Sequence, residues 1–166
     1  MRTREIACDY SPYIFNAPVP DADLHAKACT NDTSTIDRWR EPWLKNIRAN
    51  KEKFGSFKEH SLGNLFGQFR GRPVICAGSG PSLKYNVDDL KDTKGIPIVS
   101  CLHNFHFFED RGVPVDYYVT LDAGPLTISE VSEGGKKTED EYWEITKDKT
   151  LLAFIGTDPG LFEKWQ

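Results

Sequence analysis

The sequence predicts an α/β domain built on a mostly parallel β-sheet. Four short apolar segments, rich in β-branched or aromatic residues, alternate with segments of helical character. They lie at residues 74–77, 96–102, 117–121 and 150–155. Each is a continuous apolar run, which is typical of strands buried on both faces of a parallel sheet. The sheet is therefore expected to carry helices on both faces.

The segments between these strands are predicted to be helical at residues 82–91, 105–111 and 140–145. Gly134-Gly135-Lys136-Lys137 is the best candidate for a flexible loop. Residues 160–166 resemble the beginning of a further helix. Four strands make about half of a doubly wound sheet, which commonly has five or six. The sequence therefore favours a truncated version of such a sheet or a fragment of it.

The residues before the sheet fall into two segments. Residues 1–32 contain Pro12, Pro18 and Pro20 and show no sustained period, so an irregular extension is predicted. Residues 33–70 form a helical lead-in: a capping residue at 31–34 precedes apolar residues at helical spacing. Those apolar residues are Ile36, Trp39, Trp43, Leu44 and Ile47. The helix should end near residue 54, and Pro42 predicts a kink near residues 40–41. A second helical turn is predicted at 61–69.

Composition narrows the class of protein. The 166 residues carry a formal net charge of −4, which argues against a broad nucleic-acid surface. No run approaches the roughly 18 apolar residues that a membrane span requires, and the charged N-terminus does not resemble a secretory signal. A cytoplasmic location is the simplest interpretation. The four cysteines show no metal-binding spacing, so neither a disulfide framework nor a cysteine-based zinc site is expected.

The first strand runs into a turn of small residues followed by a helix start. The turn is formed by Gly78, Ser79, Gly80, Pro81 and Ser82. The glycines permit a tight turn, and Pro81 is tolerated where a helix begins. Backbone N–H groups at the positive end of a helix, with two serine hydroxyls, favour a bound phosphate. The turn matches neither G-x-G-x-x-G nor a Walker loop, so a plain strand-to-helix turn stays open.

Polar residues follow the other strands at the edge where open α/β sheets bind ligands. Asn104 could read a nucleobase or a ribose hydroxyl, or cap a helix. Asp122 could hold a divalent metal that neutralises a nucleotide phosphate, contact a ribose, or stabilise a turn. Asp158, in Asp-Pro-Gly, is interpreted mainly as a helix cap. His103 and His106 share a helical face but have no third metal ligand nearby in sequence.

Residues 61–124 resemble the opening of the MptE-like family. That family includes archaeal-type hydroxymethyl-dihydropterin diphosphokinases and bacterial motility-accessory proteins that glycosylate flagellin. The resemblance rests on residues 65–83, LFGQFRGRPVICAGSGPSL, and on residues 111–122, RGVPVDYYVTLD, which end a strand in aspartate. The helix that carries Asn46 and Asn50 is also similar to the family's lead-in. A second, overlapping resemblance is to bacterial sialyltransferases that use CMP-sialic acid, through the same turn and CLHNFHFFED at residues 101–110.

Both resemblances imply a Rossmann-like nucleotide-binding domain at residues 71–166. Residues 78–82 would face the phosphates, Asn104 the nucleoside, and Asp122 the phosphates or a Mg²⁺ ion. The catalytic residues stay unassigned, since neither family's later motifs have a counterpart here. The leading hypothesis is a diphosphokinase-type transferase that uses ATP or GTP with a small-molecule acceptor. A glycosyltransferase that uses a CMP-activated sugar and a glycan acceptor is the alternative, and a non-catalytic binding or assembly module that docks through Trp39 and Trp43 is the third.

Overall fold

A computed structural model of the protein describes residues 22–55, 58 and 60–165, with side chains from residue 29 onward. Pro12, Pro18 and Pro20, on which the predicted irregular extension depends, lie outside the described residues. The chain divides into two compact units, Met1–Trp39 and Arg40–Gln166. The sheet belongs to the second unit.

The described part of the chain contains one four-stranded sheet, whose strands are β1 (Ile75–Ala77), β2 (Ile98–Cys101), β3 (Tyr117–Thr120) and β4 (Thr150–Ala153). The strands lie in sequential order, and every neighbouring pair is parallel. One row across the sheet runs from Ala77 through Ser100 and Tyr118 to Leu151. This arrangement confirms the predicted α/β class with a Rossmann-like parallel sheet.

The α-helices are α1 (Ala22–Phe54), α2 (Leu83–Asn86), α3 (Phe105–Glu109), α4 (Leu126–Ser129), α5 (Glu139–Thr146) and α6 (Pro159–Lys164). Short 3₁₀ segments cover Leu62–Leu65, Val87–Asp92 and Leu102–Asn104. No helix among the described residues is both long and apolar enough to cross a bilayer.

One face of the sheet carries the core. Parallel crossovers are right-handed, so strands that follow one another across a sheet place their connections on the same face. The buried residues of these connections pack on the face of the sheet to which Tyr118 of β3 belongs. The ring centroids of Phe105 and Tyr118 lie 4.7 Å apart there. Trp165 also packs against this cluster, with its ring centroid 5.6 Å from that of Phe105. The hydroxyl of Tyr118 donates a hydrogen bond to the carboxylate of Glu109 at 2.8 Å. Burial of Tyr118 and the neighbouring charge of Glu109 raise the pKa of this hydroxyl far above its ordinary value.

The opposite face of the sheet is only partly covered by the described residues. Phe69 packs edge-on against Tyr117 at 5.9 Å between ring centroids. Cys76, on the same face of β1, is exposed, and Val74 just before that strand is 40% exposed. Within the described residues, the β1 side of this face is therefore not fully covered. A continuous apolar run does not distinguish a half-covered edge strand from one buried on both faces.

The lead-in helix starts earlier than predicted. Helix α1 begins at Ala22, so residues 22–32 are helical and not irregular. The predicted capping segment lies inside the helix, where the hydroxyl of Thr33 donates to the carbonyl of Cys29 at 2.9 Å. Alanine and lysine upstream of it are strong helix formers, which extends the helix toward the N-terminus. The helix also continues through Pro42, although the boundary between the two compact units falls close by, after Trp39.

Two other predicted helices are shorter than expected. The segment 82–91 forms only α2 and then the 3₁₀ segment Val87–Asp92. The turn predicted at 61–69 is the 3₁₀ segment Leu62–Leu65, because Gly67 adopts a φ of 82° that no right-handed helix accommodates. Helix α4 was not predicted, since its Leu-Thr-Ile-Ser sequence is too short to show a period.

The Gly134-Gly135-Lys136-Lys137 segment, predicted to be a flexible loop, is held by hydrogen bonds and an ion pair. The carboxylate of Asp110, with 4% of its side chain exposed, receives the ammonium of Lys137 at 2.9 Å and the backbone N–H of Lys136 at 2.9 Å. The hydroxyl of Tyr142 donates to the same carboxylate at 2.6 Å. Burial opposes ionisation of Asp110, but these hydrogen bonds outweigh it and hold its pKa below the ordinary value. Composition alone could not show these contacts with α3 and α5.

We predict that Gly135→Ala destabilises the domain. A Cβ at this position would overlap the Oη and Cζ atoms of Tyr142, which is fully buried and cannot move aside. Overpacking of this kind costs about 2 kcal/mol in the free energy of unfolding, measurable by urea denaturation. Gly78→Ala is the control, because a Cβ there meets nothing within 4 Å. Equal stability of the two variants would contradict the proposed close contact.

Candidate functional site

The glycine turn is open at the carboxyl end of β1. Gly78, Ser79 and Gly80 are all exposed. A Cβ on Gly78 would meet nothing within 4 Å, and one on Gly80 would meet only the hydroxyl of Ser82 at 3.8 Å. Neither glycine has a positive φ, so these positions provide an open backbone surface and not a left-handed conformation. A ligand can therefore approach the main chain closely here.

The turn also offers hydrogen-bond donors. Within the described residues, the backbone N–H groups of Ser79 and Gly80 donate no hydrogen bond. The hydroxyl of Ser82 makes no capping bond to α2, so it too is available to a ligand. Consecutive free N–H groups in a turn can bind an anion. The turn thus leaves these N–H and hydroxyl donors without partners among the described residues, and their phosphate-binding role stays a prediction.

The helix dipole contributes less than the sequence suggested. Helix α2 spans four residues, from Leu83 to Asn86, and gives way at once to a 3₁₀ segment. The macrodipole of a long α-helix cannot build up over a single turn. Any anion at this site would depend on the N–H and hydroxyl groups of the turn itself.

A shallow pocket of about 270 Å³ lies beside the turn, along β1. Its lining includes Cys76 and Gly78, at the end of β1, together with Leu83, Asn86 and Leu90. The mixture of apolar side chains with one amide and free main-chain groups is common in small-molecule sites. The pocket extends the candidate site from the glycine turn onto the edge of the sheet.

Asn104 lies at the end of β2 but is largely buried. Its side chain is 6% exposed, and its amide nitrogen donates to the hydroxyl of Ser100 at 3.1 Å. Ser100 in turn donates to the carbonyl of Ala77 at 2.9 Å, directly before the glycine turn. Asn104 makes no side-chain capping bond to α3. Its observed contacts tie the end of β2 to the start of the turn.

Asp122 lies in the exposed loop after β3. Its backbone N–H donates to the hydroxyl of Thr120 at 3.3 Å. Among the described residues, its carboxylate oxygens accept no hydrogen bond and remain available to a ligand. Because neighbouring strands are about 4.8 Å apart, the ends of β1 and β3 are separated by about 10 Å. The glycine turn and Asp122 thus follow strands at the same edge of the sheet, with β2 between those strands.

Asp158 has a structural role. Its carboxylate accepts the backbone N–H of Gly160 at 2.8 Å as the N-cap of α6, with Pro159 in the first helical turn. The capping interpretation is therefore confirmed. The structure does not present Asp158 as a second free carboxylate beside Asp122.

Two asparagines of α1, which the sequence analysis did not assign to the site, bind the carboxyl edge of the sheet. Asn46 is 7% exposed and Asn50 is fully buried. Their side-chain amides donate only to backbone carbonyls of the loops that follow β3 and β4. The bonds run from Asn46 to Ala123 (2.9 Å) and Gly156 (3.0 Å), and from Asn50 to Ile155 (2.8 Å) and Thr157 (2.9 Å). Their spacing of four residues, which puts both on one helical face, was the available sequence signal.

A charged group also lies beside Asp122. Partial burial raises the pKa of Glu130, which lies at the end of α4. The charge of His103 opposes this increase, whereas the carboxylates of Asp122 and Glu133 add to it. The Nδ1 atom of His106 lies 3.5 Å from the carbonyl of Glu130. Within the described residues, no three His, Cys, Asp or Glu side chains are arranged to hold a metal. His103 and His106 therefore do not form part of a preformed metal centre.

We predict that Glu130→Gln changes how stability depends on pH. A carboxyl group whose pKa is raised by folding stabilises the folded state fully below its unfolded pKa, about 4.3. That contribution is lost as the pH rises through the folded pKa. Glutamine does not ionise, so the variant does not lose stability in this way. The free energy of unfolding of the variant minus that of wild type should therefore increase between pH 4 and pH 7. Urea denaturation at several pH values measures the difference, and parallel stability profiles would contradict the prediction.

Comparison with known proteins identifies one related family. A family model described as 6-hydroxymethylpterin diphosphokinase MptE-like matches residues 43–166, well over half of the chain. The matched region begins before Asn46 and includes the glycine turn, Asn104 and Asp122. No curated protein and no solved structure matches the chain.

Proposed function

This chain belongs to the MptE-like family, and from this premise we propose that it binds a nucleoside triphosphate at the glycine turn and transfers its diphosphoryl group. An oxygen of the acceptor would attack the β-phosphorus, the bond between the α- and β-phosphates would break, and the nucleoside monophosphate would leave. The observation that carries the proposal is the open turn of residues 78–82, with its unbonded N–H groups at the carboxyl end of β1. Phosphates are typical ligands of such turns in open α/β sheets. Asn104, at the end of the adjacent strand, would lie near the nucleoside. The acceptor would be a small molecule.

Magnesium fits the residues present. Mg²⁺ in nucleotide sites keeps several waters and uses one or two protein carboxylates together with substrate phosphates. One exposed carboxylate without hydrogen-bond partners among the described residues, that of Asp122, matches this donor set. A closed structural metal site would need three or more ligands, and none is arranged in the described residues. Asp122 would thus hold a metal only together with the nucleotide.

The chemistry follows from positioning. Phosphoryl-type transfer requires little covalent participation by the protein and depends on alignment and charge stabilisation. The N–H groups of Ser79 and Gly80 would hold and orient the phosphates, and bound Mg²⁺ would neutralise their charge. The ladder between β1 and β2 ends at Ala77, two residues before Ser79, and the carbonyl of Gly80 accepts the N–H of Leu83 at 3.0 Å. The turn is therefore held at both ends, and preorganised donors of this kind need little rearrangement during a reaction.

Measurements of nucleotide binding with and without magnesium distinguish two other functions from this one. A glycosyltransferase that uses a CMP-activated acidic sugar would bind CMP at the same turn without a metal. A non-catalytic module would bind neither nucleotide. The diphosphokinase is preferred because the family model that matches the chain is described by that activity.

We predict that Ser79→Asp abolishes nucleotide binding while the domain stays folded. The new carboxylate would repel phosphate at an exposed position whose neighbours leave room for it. Ser79→Asn is the matched control, since it has nearly the same shape without the charge. Calorimetric titration with ATP and magnesium compares the two variants. Unchanged affinity of Ser79→Asp would exclude the glycine turn as the phosphate site.

We predict that Asp122→Asn weakens ATP binding only when magnesium is present. The amide keeps the shape of the side chain but is a much poorer ligand for Mg²⁺ than a carboxylate. The dissociation constant of the variant should match wild type in EDTA and increase about tenfold in magnesium, within the range for metal-site substitutions. Equal weakening under both conditions would instead indicate ribose contact or structural damage.

A further inference from the structure

We propose that Asn46 is a positioning residue for Asp122. This inference depends on the proposed function, in which Asp122 holds Mg²⁺ with the nucleotide. Asn46 contacts neither ligand in this scheme. It acts by fixing the loop that carries the carboxylate.

The hydrogen bonds of Asn46 join two loops at the carboxyl edge. Its amide nitrogen donates to the carbonyl of Ala123 at 2.9 Å and to that of Gly156 at 3.0 Å. Ala123 directly follows Asp122 and is 4% exposed, so the chain beside the exposed carboxylate is anchored in the protein interior. On the other side, the hydroxyl of Thr120 accepts the N–H of Asp122 at 3.3 Å. The position of the carboxylate is therefore restrained from both directions along the chain.

Asn50 has the same chemistry without the connection to Asp122. It lies one helical turn after Asn46 and donates its amide to two backbone carbonyls, a partly buried one of Ile155 and a buried one of Thr157. Both acceptors belong to the loop after β4. Both asparagines are buried and each donates two hydrogen bonds, but only Asn46 reaches the loop after β3. They differ in that the buried Oδ1 of Asn50 has no hydrogen-bond partner among the described residues. Loss of stability should accompany either substitution, whereas loss of metal-dependent binding should accompany only one.

The test compares ATP binding by wild type, Asn46→Ala and Asn50→Ala, in magnesium and in EDTA. Asn46→Ala should raise the dissociation constant in magnesium roughly tenfold, as substitutions behind a metal ligand commonly do, and should leave the value in EDTA unchanged. Asn50→Ala should match wild type under both conditions. Because Asn46 is proposed to act through Asp122, adding Asn46→Ala to Asp122→Asn should weaken binding no further.

Two results would overturn the inference. Wild-type binding that depends on magnesium, with the two alanine variants equally affected, would reduce Asn46 to a purely structural role and leave the proposed function intact. Wild type that binds no ATP would overturn the proposed function and this assignment together. If Asn46→Ala does not fold, Asn46→Ser, which keeps one donor of smaller reach, is compared with Asn50→Ser in the same way.

Discussion

The carboxyl edge of the sheet depends on the amides of Asn46 and Asn50. The loops after β3 and β4 turn away from the sheet and leave backbone carbonyls inside the protein, where an unpaired polar group costs about 1–3 kcal/mol. One face of α1 provides four donors to these carbonyls. The helix therefore does more than cover apolar surface: it fixes the loop after β3, which carries Asp122, and the loop after β4. An apolar residue in place of Asn46 would leave two buried carbonyls without this donor, and one in place of Asn50 would do so for one buried and one partly buried carbonyl.

The sequential order of the strands determines where a ligand can lie. Because every crossover returns on the same face, the aromatic core gathers around Phe105, Tyr118 and Tyr142 on that side. The connections meet the sheet at its carboxyl edge, where the glycine turn and Asp122 are both exposed. Buried polar links, such as those from Asn104 through Ser100 to Ala77, hold neighbouring strand ends at this edge in register. A rigid edge with exposed donors is what positioning catalysis requires.

The sequence predicts the parts of the structure that local pattern determines. All four strands, the turn of residues 78–82 and the cap by Asp158 follow from apolar runs, glycine spacing and Asp-Pro-Gly chemistry. The family followed from two motifs in the correct order and is confirmed over residues 43–166. Features that depend on contacts distant in sequence were missed. The bond from Asn46 to Gly156 joins residues 110 positions apart, and Asp110 fastens a segment that glycine content alone marks as loose. The nucleotide and metal roles of residues 78–82, Asn104 and Asp122 stay predictions.

A thermal-shift titration of the wild-type protein tests nucleotide binding at the glycine turn most directly. ATP, GTP, CTP and CMP are each added with and without magnesium, since a ligand that binds only the folded state raises the melting temperature with the logarithm of its concentration. The account predicts stabilisation by ATP or GTP that is larger with magnesium. Stabilisation by CMP alone, independent of magnesium, would favour the glycosyltransferase. No shift with any nucleotide, on a cooperatively folded sample, would contradict nucleotide binding at this site.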